Sequence, residues 1–234
     1  MTIEEFSDGF DTLLNSYYYT AGFGQDFNKS TVALDEYEKS VFLTKAQEDL
    51  VKAYYEGTVS DNDAGFEGSE SIRRALDVLV KTASPEVSGD DGIADGSSLF
   101  VLPDDLWYIV YESATVTPDP YGCGDSRTLE VVPVRHDNWN RTKRNPFKQP
   151  NGKRVIRLDA GGNRVELVSS GTVTAYNIRY LRKPRPIILV PLTGSLSIDG
   201  ERDVSECELS STLHKPILDR AVQLAATRLP SKQS

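Results

Sequence analysis

Side chains suited to nucleophilic or proton-transfer chemistry near neutral pH are few in this sequence: His136, His214, Cys123 and Cys207. Neither histidine has a His, Cys or carboxylate partner at metal-ligand spacing on a helix, and neither HExxH nor GxSxG occurs. Cys123 stands in the turn Tyr121-Gly122-Cys123-Gly124-Asp125. A nucleophile there would need a base brought from elsewhere, with His136 the nearest in sequence. The two cysteines are far apart and lack a CxxC partner, so they read as free thiols of a reducing compartment rather than a disulfide framework or zinc ribbon. Gly22-Phe23-Gly24 ahead of Lys29-Ser30 has the flavour of a phosphate loop, but the second required glycine is missing and the segment follows a helix instead of a strand. Asp61, Asp63 and Glu67 have calcium-loop character, yet Phe66 stands where an EF-hand needs glycine and Ile72 where it needs glutamate. Asp90, Asp91 and Asp95 make a second acidic turn, which reads as a linker. The expectation is a protein without catalytic residues, cofactor or resident metal.

A stronger chemical signal is the stretch from Arg135 to Leu158, RHDNWNRTKRNPFKQPNGKRVIRL. Arg135, Arg141, Lys143, Arg144, Lys148, Lys153, Arg154 and Arg157 are interleaved with His136, Trp139 and Phe147. Cations next to stacking faces suit single-stranded nucleic acid, and exposed Trp and Arg also anchor protein interfaces. No RNP, KH, zinc-finger or helix-turn-helix signature accompanies them. The chain carries a net charge of −9, which opposes a phosphate backbone. Up to Asp105 seven basic residues face 22 acidic ones, and beyond it 19 face 13, a split of −15 against +6. Such asymmetry favours contact with an oppositely charged partner, including another copy of the chain. Interface candidates are therefore Arg135, Trp139, Arg141, Lys143, Arg144, Phe147, Lys148 and Lys153, with Arg182, Lys183 and Arg185 further along.

The elements that must position these residues fall into two textures. Ile3, Phe6, Phe10, Leu13 and Leu14 repeat at helical period to about Tyr18, and Thr2 with Glu5 has capping-box spacing. Ser40 to Leu43 reads as a strand or an extended lead-in. Thr44 and Gln47 then suggest a second capping box for a helix along Ala46, Leu50, Ala53 and Tyr54, ended by Gly57. A third periodic segment runs from Ile72 past Val80 and stops near Pro85. After the acidic break that follows, β-branched and aromatic residues alternate at period 2. Strands are expected at Leu99–Leu102, Leu106–Val116, Thr128–Arg135, Arg154–Leu158, Arg164–Val168, Val173–Leu181 and Pro186–Val190. Asn151-Gly152 and Gly161-Gly162-Asn163 favour hairpins over βαβ units, and the basic stretch reads as a long hairpin arm. From Ser210 a last helix follows Leu213, Ile217, Ala221, Leu224 and Ala225, with Pro216 placed in its first turn.

The fold expected from this order is α+β. It is a bundle of N-terminal helices (1–97) and a C-terminal helix (205–234), the last helix packing on the first three, with an inserted antiparallel β-rich domain (98–204). No stretch approaches the ~20 apolar residues of a membrane span. The acidic start MTIEEFSDGF is unlike a secretory leader.

Particular segments resemble a known family. Phe42-Leu43-Thr44-Lys45-Ala46-Gln47 with Leu50-Val51-Lys52 is similar to the strand-to-helix step of tail-adaptor proteins in tailed phages. Arg141 to Leu158, Tyr176-Asn177-Ile178-Arg179-Tyr180-Leu181-Arg182-Lys183-Pro184 and Glu208-Leu209-Ser210 to Leu224 resemble ring proteins of the head-to-tail connector in crAss-like podoviruses. The resemblance implies a non-enzymatic virion protein, made in the cytoplasm of a host bacterium and placed at the head–tail junction. It implies a homo-oligomeric, dodecameric ring docked on the portal protein and holding other tail or connector proteins. DNA would pass through the channel without specific binding, and no membrane is involved. The alternative is a nucleic-acid-binding or packaging-associated phage protein.

Overall fold

The computed structural model describes residues 1–20, 34–58, 65–66, 68–88, 92, 94, 96–118 and 125–228. Among these the fold is mixed α and β, with five α-helices and one sheet of eight strands. The chain divides into two compact units, one formed by Met1–Leu79 with Pro184–Ser234, the other by Val80–Lys183.

In the first unit, α1 (Ile3–Thr20) starts where the Thr2/Glu5 spacing predicts. The Glu5 amide donates to Thr2 Oγ1 at 3.2 Å and the Thr2 amide to Glu5 Oε2 at 2.8 Å. Phe6, Phe10 and Leu14 are buried. The second helix, α2 (Glu36–Glu56), begins eight residues before the expected Thr44. Its cap is Asp35, reciprocated by Glu38, so Ser40 to Leu43 are helical. Gly57 closes it in the left-handed conformation, at φ 76°. Lys39, only 3% exposed, spans α1 and α2 by donating to Asp11 at 2.7 Å, Glu36 at 3.0 Å and Ser7 at 3.1 Å. Burial works against its ammonium, but the two carboxylates outweigh that and raise its pKa.

Thr44 and Gln47, expected to cap a helix, do something else. The row Ser40, Thr44, Gln47 lies on one face of α2 and is buried. Against it runs the extended segment Arg185–Leu189, which is no strand of the sheet although Pro186–Val190 was expected as one. The Leu189 amide donates to Ser40 Oγ at 3.0 Å, the Ile187 amide to Thr44 Oγ1 at 3.1 Å, and Gln47 Nε2 to the Arg185 carbonyl at 2.7 Å. On its other side Ile188 exchanges both backbone bonds with Ser205. The fifth helix, α5 (Ser211–Arg228), packs on α2 and α1. Its Pro216 is the sixth helical residue, one turn deeper than expected, so the Thr212 carbonyl receives no N–H from it. Leu218 lies so close to α1 that a Cβ on Gly9 would come within 2.8 Å of it. Short α3 (Glu70–Ala75) and a single 3₁₀ turn (Asp77–Leu79) replace the long third helix, because from Val80 the chain turns to strand.

In the second unit the strands are β1 (Val80–Ala83), β2 (Glu86–Val87), β3 (Ser97–Val101), β4 (Leu106–Thr117), β5 (Arg127–Pro133), β6 (Arg154–Gly161), β7 (Arg164–Val168) and β8 (Thr172–Arg182). They are ordered β1-β8-β4-β5-β6-β7-β3-β2, with every pairing antiparallel except β5 with β6. Six of the seven expected strands are present, within one to three residues at each end. Gly162 and Asn163, at φ 57° and 58°, make the tight β6–β7 hairpin loop. Phe100 of β3 packs edge-on to Tyr176 of β8 at 5.3 Å between ring centres, so the sheet curls enough to bring distant strands together. Inside the curl lie Val116, Val131, Val155, Val165, Leu167 and Ile178. Arg157, Glu112 and Tyr176 also lie there by strand parity. Arg157 donates to Glu112 at 2.5 Å, and the Tyr176 hydroxyl donates to the other Glu112 oxygen at 2.6 Å. Burial, then the Glu112 charge, push the Tyr176 phenol far above its ordinary pKa.

The parallel β5–β6 pair overturns the expected hairpin arm. Parallel neighbours cannot be joined by a tight turn, so residues 134–153 form a crossover containing α4 (His136–Arg144). The turn residues that suggested a hairpin instead end the helix and lead into β6.

Four substitutions test these interactions by urea unfolding followed by circular dichroism. Thr44→Val keeps the side-chain shape but leaves the Ile187 amide without an acceptor, and is expected to cost about 1–3 kcal/mol. Lys45→Met, one residue on and exposed, should cost under about 0.5 kcal/mol. Glu112→Leu removes the buried partner of Arg157 and leaves it only the exposed Asp159 at 3.3 Å, and should cost about 3 kcal/mol, most of it regained when Arg157→Met is added.

Candidate functional site

Helix α4 is short and lacks a side-chain cap, so its own hydrogen bonds do little to hold it. Charge placement and the sheet beneath stabilise it. Asp137 lies in the first turn and Arg141, Lys143 and Arg144 in the last, each sign at the favourable end of the helix dipole. Trp139 is half-buried against Ile156, Leu158 and Val168, and Thr142 one turn on is buried. After Arg144 the Asn145 side chain accepts the Phe147 amide at 2.9 Å, and the Lys148 and Gln149 amides bond back to the Asn145 carbonyl. This turn projects Phe147, 84% exposed.

Between α4, this turn and the ends of β5 and β6 lies a cavity of about 560 Å³. Val132, Pro133, Val134 and Ile156 form its apolar floor. Its polar lining is Arg135, Arg141, Lys148, Arg154, Asn138, Thr142 and Asn145, with no carboxylate among them. Arg135 pairs with Asp137 at 3.1 Å. Among the described residues Arg141, Lys148 and Arg154 have no ion pair. Like charges around a concave, low-dielectric surface reinforce one another's field, so the cavity attracts anions.

The structure thus gathers Arg135, Arg141 and Lys148 around one space and adds Arg154, Asn138, Thr142 and Asn145 to them. Lys143, Arg144, Phe147 and Lys153 are exposed on α4 and the turns beside it but do not line the cavity. Trp139 serves as the packing wedge of α4. Arg182, Lys183 and Arg185 lie elsewhere: Arg182 ends β8, and the Arg185 amide donates to Glu208 at 2.9 Å. Arg157, counted with the basic stretch, is consumed by its internal pair with Glu112. The alternation of β6 carried the signal that separates Arg154 from Arg157, since residues three apart on a strand face opposite sides.

The other chemical candidates do not converge on this space. His136 lies 2.8 Å from the Asp159 carbonyl, and His214 is buried 3.0 Å from the Leu209 carbonyl. Burial raises the Cys207 thiol to about 11, and it donates to Gln47 Oε1 at 3.3 Å, so it stays protonated at neutral pH. The described residues contain no cluster of three metal-ligating side chains. Cys123, Gly22 to Ser30, Asp61, Asp63, Glu67, Asp90, Asp91 and Asp95 lie outside the described residues. No described helix is long and apolar enough to cross a membrane.

The sequence matches the phage tail ring protein 3/4 family over residues 1–233. It is 45% identical over 227 residues to Ring protein 3 of Bacteroides phage crAss001, covering 96% of this chain and 95% of that protein. It is 33% identical over 240 residues to Ring protein 4/5 of the same phage, covering 96% and 92%. A match along essentially the whole chain, with both relatives spanned nearly end to end, makes this protein a member of the phage tail ring protein 3/4 family, a structural ring protein of a crAss-like phage.

Proposed function

We propose that this chain forms one ring of the phage head-to-tail connector, a dodecamer docked on the portal protein and joined to further tail components around the DNA channel. The observation that carries the reading is the cavity of unpaired cations on a chain whose net charge is −9. A subunit of a closed ring meets its two neighbours through two different surfaces, a heterologous contact, so a basic face meeting an acidic one closes the ring. The contact residues in this reading are Arg135, Arg141, Lys143, Arg144, Phe147, Lys148 and Lys153, supported by Trp139 beneath them, with Arg182 and Lys183 of the second unit and Arg185 of the first as further contacts. The helical part interrupted by a β-rich insertion supplies the two surfaces. The acidic part, facing the channel, keeps DNA from adhering during passage because like charge opposes binding to phosphate. In this reading the protein sits at the head–tail junction of the virion and has no catalytic step.

Phe147 supports a second reading. An exposed aromatic ring between Arg144 and Lys148 is also what single-stranded nucleic acid stacks on.

Replacing Arg141, Lys143 and Arg144 together by Glu separates the two. Under the connector reading the variant fails to assemble with portal protein and neighbouring rings, and wild-type assembly weakens as salt rises. Negative-stain imaging and sedimentation check both. Intact, salt-insensitive assembly would refute the charged contact, and loss of single-stranded DNA retention alone would favour the second reading.

A further inference from the structure

The cavity beside α4 is selective in what it lacks. Arg141, Lys148 and Arg154 converge on it from a helix, a turn and a strand, with the amides of Asn138 and Asn145 between them and no acidic residue in the wall. Maintaining three unpaired cations on a shared concavity is unfavourable in the isolated chain, so the surface is complementary to something negative. Its volume, about 560 Å³, accommodates two or three side chains and not a whole helix, which with its side chains is ~10 Å across.

The same chain carries a counterpart. Helix α1 has four acidic residues, Glu4, Glu5, Asp8 and Asp11, and no Lys or Arg in its 18 residues. The other long helices, α2 and α5, both contain cations. Asp11 is taken by Lys39, and Glu5 by the Thr2 cap. Glu4 and Asp8 are exposed and, among the described residues, form no ion pair. Four residues apart, they project side by side from one face of the helix, ~6 Å apart at Cβ.

We propose that the basic cavity receives Glu4 and Asp8 of α1 from a neighbouring copy of this chain. Arg141 and Arg154 each take a carboxylate, and Lys148 closes over the pair. The proposal rests on the ring-contact reading above and specifies its occupant. The two arginines suit the role because a guanidinium binds a carboxylate through two parallel N–H donors. The contact is heterologous: cavity of one copy, helix of the next, repeated around a ring.

Charge-swap variants of the full chain test it, with self-association followed by sedimentation velocity at low and high salt. Reversing the cavity (Arg141→Glu with Arg154→Glu) or the helix (Glu4→Lys with Asp8→Lys) should each weaken association at least tenfold. All four substitutions in one chain should recover most of it. Arg141→Gln with Arg154→Gln, a milder change, should weaken association and flatten its salt dependence while leaving the melting temperature near wild type, which separates loss of contact from loss of fold. Carboxyl-to-amine crosslinking of the wild type should join Lys148 of one copy to Glu4 or Asp8 of another. Helix reversal that leaves association intact while cavity reversal abolishes it would overturn the assigned occupant and leave the ring contact standing. Four substitutions that associate no better than two, or a wild-type chain that stays monomeric, would also overturn the proposal. So would cavity reversal that abolishes retention of single-stranded DNA and spares self-association.

Discussion

A stretch of backbone without a neighbouring strand must still satisfy its N–H and C=O groups when it is buried. For Arg185 to Leu189 the partner on one side is a row of side chains, Ser40, Thr44 and Gln47, spaced along α2 as successive rungs. Thr44 Oγ1 both accepts the Ile187 amide and donates to the Ile187 carbonyl, so one hydroxyl serves one residue twice. Gln47 takes the Arg185 carbonyl with its amide and the Cys207 thiol with its oxygen. Met1–Leu79 and Pro184–Ser234 make one compact unit from two distant pieces of chain. This row, with the packing of α5 on α1 and α2, is what joins them.

The second unit solves a related problem with charge. Its curled sheet encloses Arg157, Glu112 and Tyr176, each of which would be costly to bury alone. Together they satisfy most of one another's hydrogen bonds and tie β4, β6 and β8. On the outer face Trp139, Val132 and Val134 cover Ile156, Leu158 and Val168 and so seat α4. With its apolar side committed to the sheet, α4 turns its cations outward, and the crossover that carries it sets Arg141 and Lys148 opposite Arg154 of β6.

These arrangements suit a structural ring protein. A ring is built by repeating one contact, and that contact needs rigid surfaces of opposite character more than it needs a pocket for chemistry. In the proposed contact the packed α4 crossover offers one such surface, and among the described residues its Arg141 and Lys148 form no ion pair in their own chain. The acidic α1, anchored by Phe6, Phe10 and Leu14, is its proposed counterpart. Among the described residues, the Cys207 thiol is spent on Gln47 and the buried His214 ring lies beside the Leu209 carbonyl.

Local pattern alone determined a good deal of this protein. The Thr2/Glu5 cap, the α1 stripe, the Gly57 stop, six strands and the Gly162-Asn163 turn depend on neighbours a few residues apart, and all were legible. So was the basic stretch, because charge density is a property of composition. Tertiary structure decided what local pattern left degenerate. Thr44 and Gln47 have cap spacing and are also good rungs for a docked segment; only the arrival of Arg185 to Leu189, more than 130 residues later in sequence, selects between them. Val80 and Lys81 continue a helical period, but pairing with β8 draws them into a strand. Asn-Pro and Asn-Gly turns fit a hairpin as well as a crossover, and the parallel register of β5 with β6 settles it. Arg154 and Arg157 look alike in a basic run. The pleat sends one to the cavity and the other to Glu112, because which face of a strand is buried is set by the sheet it joins.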